Sequence, residues 1–276
     1  MAEITAQAVN DFRKRTGLGL MECKALLKEA DGDPVKAETL AKEKGLKNAE
    51  KRAGRAANAG RVEVVLSPDA SQGALIELNC ETDFVARNDA FRQAAGEMAQ
   101  QVLKNGAENV AEQDAIHVPG KKIKDVLIDL NARTGENVTF ARAAAFGGPG
   151  KVVDFYIHHD SKSGAIVEVE GPAEAALVKD LALHVVASKP IAVKREDVSA
   201  AVVEEQRRIF EVQAADKPEP VRAKIADGKL ASWFGESVLL EQLFVKDPSK
   251  KVKDILPAGV TVHRFARFVV GESVEP

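Results

Sequence analysis

The feature that most restricts this chain is an internal repeat. Gly60–Arg61–Val62, leading to Gly73–Ala74–Leu75–Ile76–Glu77–Leu78, returns as Gly150–Lys151–Val152 leading to Gly164–Ala165–Ile166–Val167–Glu168–Val169. The offset is 90 residues at the first run (Gly60 to Gly150) and 91 at the second (Gly73 to Gly164), so one residue is inserted in the intervening turn. Each copy joins two β-rich runs through polar turn residues, Asp69–Ala70–Ser71–Gln72–Gly73 and Asp160–Ser161–Lys162–Ser163–Gly164, and so reads as a hairpin. An amphipathic helix follows each hairpin. Phe91, Ala94, Ala95, Met98 and Val102 share one face in the first copy, and Val178, Leu181, Ala182, Val185 and Val186 in the second. A hairpin and then a helix, twice over, predict a duplicated α+β core and not an alternating βαβ sheet.

Around this core the pattern is helical. Residues 1–45 read as a small three-helix domain: Thr5 caps a first helix with Val9 and Phe12. Cys23, Leu26, Leu27 and Ala30 line a second, and Asp33–Pro34 open a third that Gly45 can close. Such a unit has a thin core and is expected to lean on something else. Residues 46–59 read as a basic, partly helical linker, with Lys47, Lys51, Arg52, Arg55 and the following Arg61 facing only Glu50. The first core copy spans 60–145, with a further helix at 121–134 and a strand from Asn137, and the second spans 146–192. Residues 193–232 read as a helical hairpin broken at Lys217–Pro218–Glu219–Pro220. Its first helix carries Val198, Val202, Val203, Gln206, Ile209, Phe210 and Gln213 along one seam. Residues 233–276 return to the second copy with a final strand over Val260–Val270.

Composition removes several functions. Among 276 residues, 39 Lys+Arg against 42 Asp+Glu give a net charge of −3, which does not favour a general nucleic-acid grip. No stretch approaches the ~20 apolar residues of a membrane span, and Met1–Ala2–Glu3 does not begin a signal peptide. Two cysteines, Cys23 and Cys80, make no disulfide framework and fit a reducing, cytoplasmic setting. The five histidines and two cysteines show no metal-ligand spacing. Phe146–Gly147–Gly148–Pro149–Gly150–Lys151 fails as a phosphate loop, because Ala145 replaces its first glycine and Val152 its Ser/Thr. Neither an acid/base pair nor a nucleophile elbow is singled out, so no enzyme, metal or cofactor is expected.

The informative asymmetry lies between strand and helix. Copy one crosses that gap through Asn79–Cys80–Glu81–Thr82–Asp83–Phe84–Val85–Ala86–Arg87–Asn88, and copy two through the shorter Glu170–Gly171–Pro172–Ala173. Packing symmetry does not require the longer connection, and binding residues concentrate on such loops. Thr82 suits an N-cap and Asp83 the positive end of a helix, so Phe84 is presented at a helix start. Burial within its own domain is the ordinary fate of a Phe, but polar neighbours Asp83, Arg87, Asn88 and Asp89 favour exposure.

The run Glu77–Asn88 resembles bacterial translation elongation factor Ts, as does Arg15–Thr16–Gly17–Leu18–Gly19–Leu20–Met21–Glu22–Cys23–Lys24. The resemblance continues through Gly135–Glu136–Asn137, His184–Pro190 and Phe244–Val252, and so covers nearly the whole chain. Leu20 departs from it, standing where methionine is common. The resemblance implies a guanine-nucleotide exchange factor for elongation factor Tu, with an amino-terminal domain of the ubiquitin-associated type. By that likeness Thr82, Asp83, Phe84 and Val85 disturb the partner's magnesium site, and Asn79 supports their approach. Arg13, Met21 and His184 are further partner contacts, and the 195–230 hairpin is a homodimerisation module. A carboxy-terminal helix carried by many members is expected to be missing after Pro276. The rival expectation is an RNA-binding or ribosome-associated factor using the basic 47–61 segment.

Overall fold

A computed structural model describes residues 4–272, so the Met1–Glu3 start and the tail from Ser273 lie outside the described residues. Helix α1 (Ala6–Thr16) starts where the Thr5 side chain accepts the Ala8 N–H, and ends at Gly17 with φ +71°. Helix α2 (Leu20–Glu29) follows, and then α3 (Pro34–Arg52), capped by Asp33 on the Val35 and Lys36 N–H groups. Val9, Phe12, Leu18, Cys23, Leu26, Leu27, Ala30 and Ala37 form the small core of these helices.

Strands β1 (Ala59–Leu66) and β2 (Gln72–Cys80) make the first hairpin. The one-turn helix α4 (Asp83–Ala86), α5 (Asp89–Asn105) and α6 (Ile123–Thr134) lead to β3 (Thr139–Gly147), and the sheet order is β1–β2–β3. The second sheet begins with β4 (Lys151–Ile157) and β5 (Ser163–Glu170), antiparallel with Phe155 opposite Ile166. Helix α7 (Ala175–Ser188) covers it. Helices α8 (Ala200–Gln213) and α9 (Glu219–Ser237) form the hairpin, and β6 (Leu243–Phe244) pairs with β7 (Asp247–Lys251). Strand β8 (Thr261–Val269) closes the sheet antiparallel to β5, in the order β4–β5–β8. The architecture is thus α+β, with two small antiparallel three-stranded sheets.

Two expected boundaries move. Gly45 does not end the third helix, which runs on to Arg52. Gly45 is buried mid-helix, where an added Cβ would stand 3.6 Å from Ile128 Cγ2 and 3.9 Å from Ala132 Cβ. The glycine is thus an interior residue facing α6 and not a stop. The first half of the 46–59 linker is therefore packed helix, and Arg52 Nη1 donates to the Asn131 carbonyl at 3.1 Å. Arg133 Nε likewise donates to the Thr16 carbonyl at 3.1 Å, and Ala132 packs on the small core, so α6 is the support the thin domain needs.

The second change is in the division of the core. One compact unit runs to Glu63 and adds Ile76–Ala143 and the segment from Val270; the other holds Val64–Leu75 and Ala144–Val269. The first hairpin's tip is thus part of the second unit, instead of the chain dividing at 145/146. Val153 N–H donates to the Ala70 carbonyl at 2.9 Å, and a Cβ on Gly73 would fall 2.8 Å from Ile166 Cδ1.

The repeat is deeper than the hairpins. Glu77 on β2 and Glu168 on β5 are both buried, and each accepts a guanidinium from the third strand of its own sheet. Arg142 Nε bonds Glu77 Oε2 at 2.6 Å, and Arg264 Nη2 bonds Glu168 Oε2 at 2.8 Å. Each also accepts a glycine N–H, from Gly271 at 2.9 Å and Gly147 at 2.6 Å. Burial opposes the charge of Glu168, yet the guanidinium and the Gly147 N–H hold its carboxyl below the ordinary value. Strands β3 and β8 are therefore equivalent, with the α8–α9 hairpin inserted before the second of them.

The hairpin has its own core of Leu230, Phe234 and Val238, against which Val198, Val203, Phe210 and Trp233 pack. It extends past 232, since α9 runs to Ser237. The single apolar seam expected along α8 divides, because Val203 and Phe210 turn inward while Val202 and Ile209 stay exposed.

Candidate functional site

The loop after β2 is built by consecutive caps. Thr82 is extended (φ −131°, ψ 153°), and its Oγ1 accepts the Val85 N–H at 3.4 Å, opening α4. Asn88 Oδ1 accepts the Ala90 N–H at 2.9 Å and opens α5 two residues after α4 ends. Ala86 is buried and Val85 half-buried, so the turn is seated by one face. Phe84 lies on the other face and is 90% exposed, more than any other large hydrophobic side chain among the described residues. Asp83, in the first turn, is exposed beside it, where a carboxylate suits the helix N-terminus.

The base of the loop is tied on three sides. Glu136 Oε2 accepts the Glu81 and Thr82 N–H groups, both at 3.0 Å, and its Oε1 accepts Thr82 Oγ1–H at 2.6 Å. Glu81 Oε1 returns the contact by accepting the Asn137 N–H at 2.7 Å, with Arg55 Nη1 at 3.4 Å. The Cys80 thiol donates to the Thr82 carbonyl at 3.2 Å. Burial, reinforced by the Glu136 charge, pushes that thiol up to about 12, so it remains protonated and acts as a donor.

Thr82, Asp83, Phe84 and Val85 therefore stand together as one presented element. Arg13 on α1 and Met21 on α2 are both exposed, Met21 by 75%, and belong to the same compact unit. Two expected contacts are corrected. Asn79 is a β2 residue only 9% exposed and packed against Gly60, where an added Cβ would stand 2.8 Å from Asn79 Cα, so it offers a partner little surface. The loop's support comes instead from Glu136 and Glu81, whose roles no local spacing announces.

His184 is the second correction, because it is 0% exposed. Its Nδ1 accepts the Val245 N–H at 3.2 Å, so the ring proton sits on Nε2 and donates to Gln242 Oε1 at 3.0 Å. Gln242 then donates to the Ser188 and Glu236 carbonyls at 3.0 and 2.6 Å. Burial pushes this imidazole below its ordinary 6.5, against a smaller opposing effect of the Gln242 bond. Between the lowered folded value and 6.5 the unfolded chain binds more protons. The stability contributed is therefore complete above 6.5 and declines as pH falls through the folded value. The urea midpoint is expected to drop from about pH 7.5 to about pH 5.5, and less steeply in His184→Gln. Parallel drops in both proteins would assign the slope to other groups.

A cleft of about 220 Å³ lies between α3 and α6, lined by Arg15, Glu38, Lys42, Lys121, Asp129 and Arg133 among others. Arg15 bonds Glu38 at 2.7 Å and Lys121 bonds Asp129, leaving no convergent acid and base there. Among the described residues no group of three His, Cys, Asp or Glu could hold a metal ion, and no helix is long and apolar enough to cross a membrane. Three cations of the basic segment have partners within the protein: Arg52 holds the Asn131 carbonyl, Arg55 pairs with Glu81, and Arg61 pairs with Glu63 at 2.6 Å.

A braced loop that holds an aromatic ring out to solvent has the form of a surface for binding another macromolecule. The family model described as Elongation factor TS matches residues 81–272. Elongation factor Ts of Thioalkalivibrio sulfidiphilus is 40% identical over 279 residues, covering 99% of this chain and 94% of that protein. Elongation factor Ts of Chlorobium phaeobacteroides is 38% identical, covering 98% and 100%, and that of Aquifex aeolicus 36%, covering 97% and 98%. The chain belongs to the elongation factor Ts family.

Proposed function

We propose that this chain is a guanine-nucleotide exchange factor for elongation factor Tu, acting in the cytoplasm through the Thr82–Val85 element. The observation that carries the reading is the Phe84 ring, standing in solvent on a one-turn helix whose base is hydrogen-bonded on three sides. A side chain with two rotatable bonds enters a partner's interior at small entropic cost and favours a displaced arrangement there. Asp83 arrives with it and bears on the partner's magnesium site. Once the cation is displaced, the phosphates lose their main counter-charge and the nucleotide leaves. No bond is made or broken by this chain, so its role is exchange and not chemical catalysis. Arg13 and Met21 add contact area from the first domain.

The α8–α9 hairpin is read as a self-association surface. Val202, Ile209 and Val212 stay exposed on α8, at spacings of seven and three residues that keep them on one face. Deleting residues 195–230 is expected to bring the mass measured by light scattering from that of two full chains to that of one shortened chain, and a mass of two shortened chains removes that reading. Release of a fluorescent GDP from purified elongation factor Tu tests the main one. Adding this protein is expected to accelerate release by orders of magnitude, and an unaltered rate refutes it.

A further inference from the structure

We propose that Glu136 is the positioning residue for Phe84, an inference that rests on reading Phe84 as the exchange element. A four-residue helix has no stability of its own, since nucleation costs more than one turn returns. Something outside it must fix where it begins. The Thr82 cap does part of this, but Thr82 is itself a loop residue and must be held. Glu136 holds it from across the fold, with one carboxylate oxygen on two successive backbone N–H groups and the other on the Thr82 hydroxyl. Three donors at 2.6–3.0 Å on one anion define both the position and the rotation of the chain entering α4.

Glu136 is itself rigidly placed. It follows Gly135, which ends α6 with φ +76°, a conformation that glycine adopts without strain. Its own N–H donates to Thr134 Oγ1 at 3.3 Å. On its other side Asn131 closes the junction from α6 to β3, donating to the Val138 carbonyl at 3.1 Å and accepting the Val138 N–H at 2.7 Å. Asn137 Nδ2 donates to the Arg55 carbonyl at 2.8 Å, while its N–H holds Glu81. The reciprocal pair, Glu136 onto the loop and Glu81 back onto Asn137, therefore binds the loop to the α6–β3 corner. The second core copy crosses the same gap by a shorter connection, and its carboxylates Glu168 and Glu170 face Arg264 and Lys151.

Without this anion the turn samples conformations in which Phe84 points elsewhere. The competent fraction falls, and the maximal exchange rate falls with it. Glu136→Gln keeps the shape but removes the charge and one acceptor: either way round, its NH2 group faces the two N–H donors or reverses the bond to the Thr82 hydroxyl. It is expected to lower the maximal GDP-release rate by roughly tenfold or more, with the urea midpoint and the concentration of protein giving half-maximal rate changed much less. Because the effect passes through the ring, Glu136→Gln is expected to add nothing in a Phe84→Ala background. A full rate in Glu136→Gln, or an additive loss in the double variant, overturns the assignment. If Phe84→Ala itself releases GDP at the wild-type rate, the underlying reading fails and this one with it. A slow Phe84→Ala beside a full-rate Glu136→Gln sinks the clamp alone. Should Glu136→Gln not fold, amide hydrogen exchange in the wild-type protein decides. The Glu81 and Thr82 N–H groups are expected to be protected, and free exchange at both overturns the proposal.

Discussion

Phe84→Ala is expected to slow GDP release from elongation factor Tu by about 10- to 100-fold, while leaving the fold intact and most of the partner affinity in place. The factor follows from the ring's exposure. A Phe taken from water into a partner's interior gains ~1.5–3 kcal/mol, and about 1.4 kcal/mol is a decade in rate. The fold is spared because a side chain that is 90% exposed makes few contacts of its own to lose. Affinity is largely spared because the ring's gain is consumed in holding the partner's displaced arrangement. Coupling fixes the rest. Shifting nucleotide affinity by four decades needs roughly 5.5 kcal/mol of differential binding, and one ring cannot supply it. The wider contact, including Arg13 and Met21, has to stabilise the distorted partner while Phe84 acts locally. Stopped-flow release of a fluorescent GDP, beside titration of the nucleotide-free complex, separates the two quantities. A wild-type maximal rate in Phe84→Ala, or loss of rate and affinity in equal measure, would assign the ring to ordinary adhesion.

What the sequence made legible was local. Thr82 as a cap, Asp33–Pro34 as a helix start and the paired hairpins all depend on residues within a few positions of each other, and they stand as expected. The misreadings have distant causes. Gly45 carries the signature of a helix end, yet it lies inside α3, facing Ile128 and Ala132 on α6. His184 sits on an amphipathic face compatible with either core or surface, and Gln242, 58 residues on, decides for the core. Glu136 belongs to a run whose resemblance was visible, but its partners lie 54 and 55 residues back. The two third strands were legible as strands, but their equivalence was not, for a related reason. The α8–α9 hairpin intervenes in one copy only, so Arg142 and Arg264 do not fall at the repeat's spacing.

Those two arginines lead to the largest expected effect on stability. Glu77→Ala is expected to destabilise its unit by ~3–5 kcal/mol, because it takes the nearest carboxylate from a guanidinium that the fold has largely taken out of water, with Glu272 next at 4.0 Å. That is a large share of the ~5–15 kcal/mol by which domains are stable. The Gly271 N–H loses its acceptor in the same change, which adds to the cost of an unmet donor. The second copy supplies an internal control. Glu168 makes the same two kinds of bond, but the Arg264 side chain is 51% exposed where Arg142 is 17%. A guanidinium left at half exposure recovers most of its hydration, so Glu168→Ala is expected to cost distinctly less than Glu77→Ala. The pair itself is not the source of the stability. Replacing Glu77 and Arg142 together by methionine returns similar volume without a stranded charge, and most of the loss is expected to be recovered. Calorimetric unfolding of the four proteins measures this. Equal losses for the two alanine variants, or no recovery in the double methionine variant, would mean that the carboxylates stabilise through packing and not through the ions they neutralise.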